Sequence, residues 1–326
     1  MKILILGGSG HIGKRLTEML KALSWAMPVS ASRTPQGNAL SGEFLQLDAL
    51  DKSALQATLK DFDAVVNCVA GDARSISVGA RVLTQAAVAA QCPRIVHLST
   101  MSVYGPVEGE VYEDAPLNPG LGWYGNAKCE AENYVSQFVN EGGQAVVLRP
   151  GCVFGPGSEL WVGRVGRWLQ ARRLGDLGIA GDGWSNLVHV DDVCASVIAA
   201  LRLPLSQGAV STFNLAAPDS PRWNDYFVEL ALAIKAVPVR RVSPYQLKID
   251  AWIGGPIFKS MRSALFKASG AVQRIPEPLS PGLVALFSRH LRLDSCAAEQ
   301  ALNLIWTPYV NSFQESLEWY RSKASE

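Results

Sequence analysis

Apolar residues in the first half of the chain fall into short unbroken runs, separated by longer stretches in which they recur every three or four positions. Ile3–Leu6 is the first run, and a glycine-rich turn, Gly7 to Gly13, follows it directly. From Ile12 onward the period changes, and Leu16, Met19, Leu20 and Leu23 mark one face of a helix. An unbroken apolar strand is expected of a parallel sheet covered on both faces. The same alternation predicts strands over 28–32, 43–47, 64–68, 94–99 and 145–148, and helices over 51–59, 75–90 and 122–139. Strands separated by helices imply right-handed crossovers and an α/β, doubly wound parallel sheet. Such a sheet binds ligands beyond the carboxyl ends of its strands, so the residues just after each strand matter most.

Past Pro150 the rhythm breaks. Residues 151–186 are rich in Gly, Trp and Arg without a regular pattern, and then a strand (187–190), a helix (191–201) and a strand (212–215) restore it. The remainder reads as mostly helical and proline-rich. The expected organisation is a nucleotide-binding domain over 1–150, to which 187–217 returns, and a smaller, mostly helical C-terminal lobe made of 151–186 and 218–326. Within 251–266, Trp252, Ile253, Ile257, Phe258, Met261 and Leu265 recur at helical spacing, and Lys259, Arg262 and Lys267 interrupt the stretch. Those charges exclude a membrane span. A cap helix over a substrate cleft is the expected outcome, ahead of an interfacial amphipathic helix.

Composition narrows the class. Thirty Lys and Arg against 29 Asp and Glu leave a formal charge of +1, which gives no footprint for nucleic acid. The first strand begins at residue 2, leaving no room for a cleaved leader, and the six cysteines never form C-x-x-C. Neither a disulfide framework nor a metal site is expected, and the chain reads as a cytoplasmic protein. Its expected partner is a small-molecule substrate, and a homodimer stays open.

Strand, glycine turn and helix in this order form a cradle for a dinucleotide phosphate. Unpaired amides at the helix start face an anion, and a missing Cβ lets the pyrophosphate approach. The turn reads either as Gly8-x-Gly10-x-x-Gly13 or as Gly7-x-x-Gly10-x-x-Gly13. Tyr124 and Lys128 stand four apart on one helix face, after a strand ending in Leu98-Ser99-Thr100. A hydroxyl at a strand end and a Tyr–Lys pair on the next helix converge on one carbonyl, and a nearby ammonium is the expected means of lowering the phenol's pKa. Asp191 and Asp192 read as helix N-caps, His11, His97 and His290 as structural, and His189 as a brace between lobes.

Taken together, these motifs resemble the extended short-chain dehydrogenase/reductase family, which includes NAD-dependent epimerases and dehydratases. The resemblance covers about residues 1–217. It rests on the glycine turn, Asp48-Ala49, Asn67-Cys-Val-Ala-Gly71, Ser99-Thr-Met-Ser-Val-Tyr-Gly105, Tyr124-x-x-x-Lys128, Arg149-Pro-Gly-Cys-Val-Phe-Gly-Pro156 and His189-Val-Asp-Asp-Val193. It implies a Rossmann fold and selects Gly7, Gly10 and Gly13 as the turn glycines, with His11 and Ile12 beside the phosphates. It implies Tyr124 as general acid/base, Lys128 as the cation beside it and on the ribose, and Thr100 as the hydroxyl on the reacting oxygen. It further implies Asp48 and Ala49 at the adenine, Val69, Ala70 and Gly71 at its ribose, and Ser99, Pro150 and Val153 near the nicotinamide.

Arg33 closes the second strand where an NAD-specific member usually carries an acid, so NADP(H) is the expected cofactor and NAD(H) the alternative. Sugar-nucleotide members resemble one another in an Asn where Cys152 stands and in an Arg before His189, which is absent from Gly183-Trp-Ser-Asn-Leu-Val188. With Ser102, Val103, Trp161 and Trp184 as expected substrate contacts, the reading is a ketone/alcohol oxidoreductase for a small, largely apolar molecule. An NDP-sugar epimerase or dehydratase and a non-catalytic dinucleotide sensor are the alternatives.

Overall fold

The computed structural model describes residues 1–34, 43–118, 120, 122–254, 256, 257, 261, 277 and 279–324. Its centre is a seven-stranded sheet built from β1 (Lys2–Leu6), β2 (Met27–Ser32), β3 (Phe44–Gln46), β4 (Ala64–Asn67), β5 (Arg94–Leu98), β7 (Gln144–Pro150) and β10 (Val210–Leu215). Every pairing is parallel, in the order β10-β7-β5-β4-β1-β2-β3. Ile3, Leu4 and Ile5 in β1, and Val65 and Val66 in β4, are wholly buried because helices cover both faces. Leu16 and Leu20 of α1 (His11–Lys21) pack on one face with Val193 and Val197 of α6 (Val190–Arg202). The other face carries α2 (Lys52–Leu59), α3 (Ala73–Ala90) and α4 (Trp123–Asn140), through Leu55, Leu83, Val135 and Phe138.

Strand order reverses between β1 and β4. The turn after β1 and the segment after β4 therefore flank an open crevice, where a doubly wound sheet binds its ligand. Helix starts are set by short acids one residue before each helix. Asp51 accepts from Ala54 N at 3.0 Å to begin α2, and Asp72 accepts from Ser75 N at 2.8 Å to begin α3.

Outside this sheet the described residues form four three-residue strands; the one at 187–189 matches the strand expected over 187–190, and the other three are too short to show a period. β6 (Gly109–Val111) pairs with β11 (Leu291–Leu293), and β8 (Cys152–Phe154) pairs with β9 (Leu187–His189). The stretch 151–186, expected to be irregular, also holds α5 (Arg164–Gln170). Beyond β10 come α7 (Trp223–Ala233), α8 (Pro244–Ile249), α9 (Pro281–Phe287), α10 (Cys296–Leu302) and α11 (Tyr309–Ala324). All but Cys296–Leu302, which packs against the sheet core, gather around an aromatic cluster in which Trp223 stacks on Phe227 at 5.4 Å, meets Phe287 edge-on at 5.0 Å and lies 5.1 Å from Trp161. Of the predicted 251–266 helix, Trp252, Ile253, Ile257 and Met261 are exposed, whereas Phe258, Lys259, Arg262, Leu265 and Lys267 lie outside the described residues. Among the described residues no helix is long and apolar enough to cross a membrane.

Candidate active site

The glycine turn is held by backbone contacts that leave no room for side chains. A Cβ on Gly13 would lie 2.4 Å from Gly7 O, and one on Gly7, at φ +78°, would lie 2.8 Å from Cys68 O. Gly10 differs: its Cβ would meet nothing of this chain nearer than Gly7 O at 3.3 Å. Gly10 is also the N-cap of α1 and offers no side-chain acceptor to the helix amides. A bare helix start with open space before it suits a phosphate. The turn adjoins a pocket of about 210 Å³ lined by Gly7, Gly10, Arg33, Asp48, Ala49, Val69 and Ala70, as the sequence implies. Ser9, Thr34 and Ser75 line it as well and were missed. Their signal was positional, since Ser9 lies in the glycine turn and Thr34 just beyond the end of β2. Gly71, at φ +131°, turns the chain toward α3.

Arg33 is exposed at the rim, and its charge helps hold the Asp72 carboxyl below its usual range, after the larger effect of the Ser75 hydrogen bonds. Asp48 accepts from Leu50 N at 3.0 Å. On the other side of the turn, the His11 ring donates to Pro156 O at 2.8 Å, and Ile12 O accepts from the Cys194 thiol. Val153, Pro156 and Trp161 border a cleft there of about 820 Å³. Pro150 is buried at the end of β7, in register with Leu215. A hollow of about 850 Å³ at the amino ends of the strands, around Arg94 and Arg202, lies at the end of the sheet opposite the glycine turn.

Tyr124 and Thr100 come together as expected. Thr100 N-caps the 3₁₀ turn Met101–Tyr104, accepting from Ser102 N at 3.3 Å, and Ser102 Oγ lies 3.4 Å from its hydroxyl. The α4 helix reaches this turn because residue 125 is glycine: a Cβ there would lie 2.9 Å from Ser102 O. Burial raises the half-buried Tyr124 phenol above its ordinary range, a hydrogen bond with Thr100 lowers it, and the neighbouring Cys152 raises it. Lys128 is not among these influences. Its ammonium is buried, donating to Leu98 O at 2.7 Å and lying 3.5 Å from Val69 O, and burial lowers its pKa to about 8 against the opposing charges of Cys68 and Glu132. The lowering of Tyr124 by Lys128 expected from the spacing is thus not present here, because carbonyl oxygens, not the phenol, hold the ammonium.

Several expected contacts lie elsewhere. The Ser99 hydroxyl donates to Glu132 beneath the site. Glu132 is bound bidentately by Arg149, at 3.1 and 2.7 Å, and Arg149 also donates to Tyr104 Oη at 2.9 Å. Tyr104 in turn donates to Asn214 at 2.6 Å, so this buried network joins β5, α4, β7 and β10 under Thr100. Val103 is wholly buried in the second core and offers a substrate nothing. Trp184 lies between Arg222 and Arg292, 4.5 and 4.8 Å from its ring, in a separate pocket of about 280 Å³. Asp191 and Asp192 are not caps: Asp191 pairs with Arg15 at 2.6 Å, and Asp192 accepts from Thr307 Oγ1 at 2.7 Å. His189 does brace the two halves, buried edge-on against Phe154 and 3.4 Å from Glu315 of α11. His97 is buried and accepts from the Asn67 amide at 3.1 Å.

Known proteins are similar to this chain in sequence and in fold. A family model described as "NAD dependent epimerase/dehydratase family" matches residues 3–216. Protein YeeZ of Escherichia coli (strain K12) is 27% identical over 255 residues, spanning 73% of this chain and 86% of YeeZ. The 2′-dehydrokanamycin reductase of Streptomyces kanamyceticus is 27% identical over 239 residues, 70% of this chain and 65% of the reductase. The crystal structure of UDP-glucose 4-epimerase from Thermotoga maritima with UDP-glucose has a TM-score of 0.76 at 18% identity, covering 99% of this chain and all of that one. At that identity the likeness is one of fold.

Proposed function

The chain belongs to the NAD-dependent epimerase/dehydratase family of NAD(P)-dependent enzymes, and from that premise we propose that it is an NADP(H)-preferring oxidoreductase interconverting a ketone and a secondary alcohol on a small, largely apolar substrate. The observation that carries the reading is that Thr100 and the Tyr124 phenol come together, one helical turn from the buried Lys128 ammonium. Bound in the crevice, the nicotinamide cofactor supplies or accepts the hydride. Tyr124 gives its phenolic proton to the carbonyl oxygen, or takes it back in the reverse direction. Thr100 holds that oxygen against the phenol, with Ser102 beside it. Lys128 would hold the ribose hydroxyls. Arg33, at the rim of the pocket with Asp48 and Ala49, favours a 2′-phosphate through charge-assisted hydrogen bonds. The buried Cys152 thiol beside Tyr124 offers no amide to a sugar diphosphate.

The test pairs cofactor and substrate. NADPH should bind more tightly than NADH, and Arg33→Ala should narrow the gap by ~1.5–3 kcal/mol, one charge-assisted contact. Hydrophobic ketones should consume NADPH, and Tyr124→Phe should lower turnover by ~10²–10⁴ while leaving cofactor affinity intact. Epimerisation of a UDP- or dTDP-sugar without net change in cofactor absorbance overturns the substrate reading. NADH binding as tightly as NADPH overturns the reading of Arg33.

A further inference from the structure

We propose that the outward face of α8 and the π turn that follows it (Asp250–Gly254) docks on an anionic membrane surface, a reading independent of the substrate proposed above. The orientation of this segment is fixed from within. Ser243 and Gln246 form a reciprocal cap at its start, Leu247 and Ala251 are buried on its inner side, and Asp250 is clamped by Arg173 at 2.9 Å. The other side carries Lys248 and a set of large apolar side chains open to solvent: Tyr245 is 74% exposed, Trp252 68%, Ile253 59% and Ile249 41%. Ile257 and Met261 continue the exposed series. Isolated exposed apolar residues are ordinary, but a run of neighbouring ones on one short helix marks a contact surface.

Charge identifies the partner. Lys248 is exposed on the same helix, between Tyr245 and Trp252 in sequence. The loop carrying Arg172 and Asp176 is tied to the strand-like segment before α8: Arg240 donates to Arg172 O at 3.3 Å, and Arg241 pairs with Asp176 at 3.0 Å. Arg172, Arg240 and Arg241 are all exposed. Residues 235–254 hold Lys235, Arg240, Arg241 and Lys248 against a single acid, Asp250, in a chain whose formal charge is only +1. A second copy of this face would bring like charges together, and a cap over an apolar cleft has no use for them. Aromatic and β-branched side chains flanked by cations match the interface of a bilayer whose headgroups are anionic. The helix lies on such a surface and does not span it.

The experiment is flotation of the full chain with phosphatidylcholine vesicles and with vesicles that also contain phosphatidylserine, at low and high salt. The expected result is at least ~10-fold more protein on the anionic vesicles, reduced by high salt. Lys248→Glu should weaken that binding, and Trp252→Ser with Ile253→Ser should abolish it, with far-UV circular dichroism and melting temperature unchanged. Equal flotation with both vesicles, no flotation with either, or flotation unaffected by the Trp252/Ile253 change overturns the proposal. So does a concentration-dependent dimer, seen without vesicles, that the same change dissociates.

Discussion

Two buried cations stand at the heart of this molecule, and they are treated in opposite ways. Arg149, between β7 and α4, meets a full set of acceptors: both Glu132 oxygens, Tyr104 Oη and Glu113 O. Burial works against its charge, but the Glu132 hydrogen bonds and charge, with Tyr104, more than offset that and keep it protonated. Lys128, on the outer part of the same helix toward Tyr124, has carbonyl oxygens but no carboxylate bound to it, and burial brings its pKa down to about 8. A charge the fold depends on is fully compensated. The charge proposed for chemistry is left partly unmet.

Arg149→Met is the most damaging way to break that contrast. It leaves the Glu132 carboxylate buried with only Ser99 as donor, and should cost ~3–5 kcal/mol in denaturant unfolding. Glu132→Gln with Arg149→Met should recover most of the loss, since no buried charge then remains. A double variant as unstable as the single one would show that packing, not charge, is what the pair provides.

Lys128→Met should behave oppositely. The parent's Lys128 has a folded pKa of about 8 against 10.5 for the free side chain, so between these values the unfolded chain binds more protons and stability rises with pH. The buried ammonium therefore costs roughly 3 kcal/mol below pH 8, and that cost fades toward pH 10.5. Unfolding free energies measured across this window should show Lys128→Met more stable than the parent near pH 7 and equal to it at the alkaline end, while cofactor binding is lost. Parallel stability curves would refute the contrast.

The smallest effect is expected from Cys68→Ala. Burial raises the Cys68 thiol to about 12, above the range in which Lys128 titrates, so the support it lends the ammonium is small. The pH dependence of stability should be unchanged within error. A displaced curve would mean that a thiolate, and not the carbonyls alone, supports the ammonium.

Much of this was readable along the chain. Strand–helix alternation through residue 150 needs only local period and burial on both sheet faces, and it placed six of the seven strands of the large sheet within a few residues. The glycine turn was legible because Gly7 and Gly13 answer to contacts with the adjacent strand ends, which the strand–turn–helix order already implies. Tyr124, Lys128 and Thr100 were legible through spacing and position after a strand. What spacing could not say is where a side chain turns once neighbours from distant segments arrive. Ser99 follows a strand as Thr100 does, yet its hydroxyl goes to Glu132, 33 residues on, and not into the crevice. Trp184 sits among substrate-like aromatics in sequence, but Arg222 and Arg292 claim it from separate elements. Asp191 and Asp192 have the composition of caps and serve as ties to Arg15 and Thr307. The lowering of Tyr124 by Lys128, natural from a one-turn separation, fails because two strand-end carbonyls reach the ammonium first. The sequence by itself determined the period, the turn and the chemical groups available. Tertiary structure alone decided which group each charge or hydroxyl faces, because buried polar atoms take whichever partner the packing of remote segments brings within hydrogen-bond range.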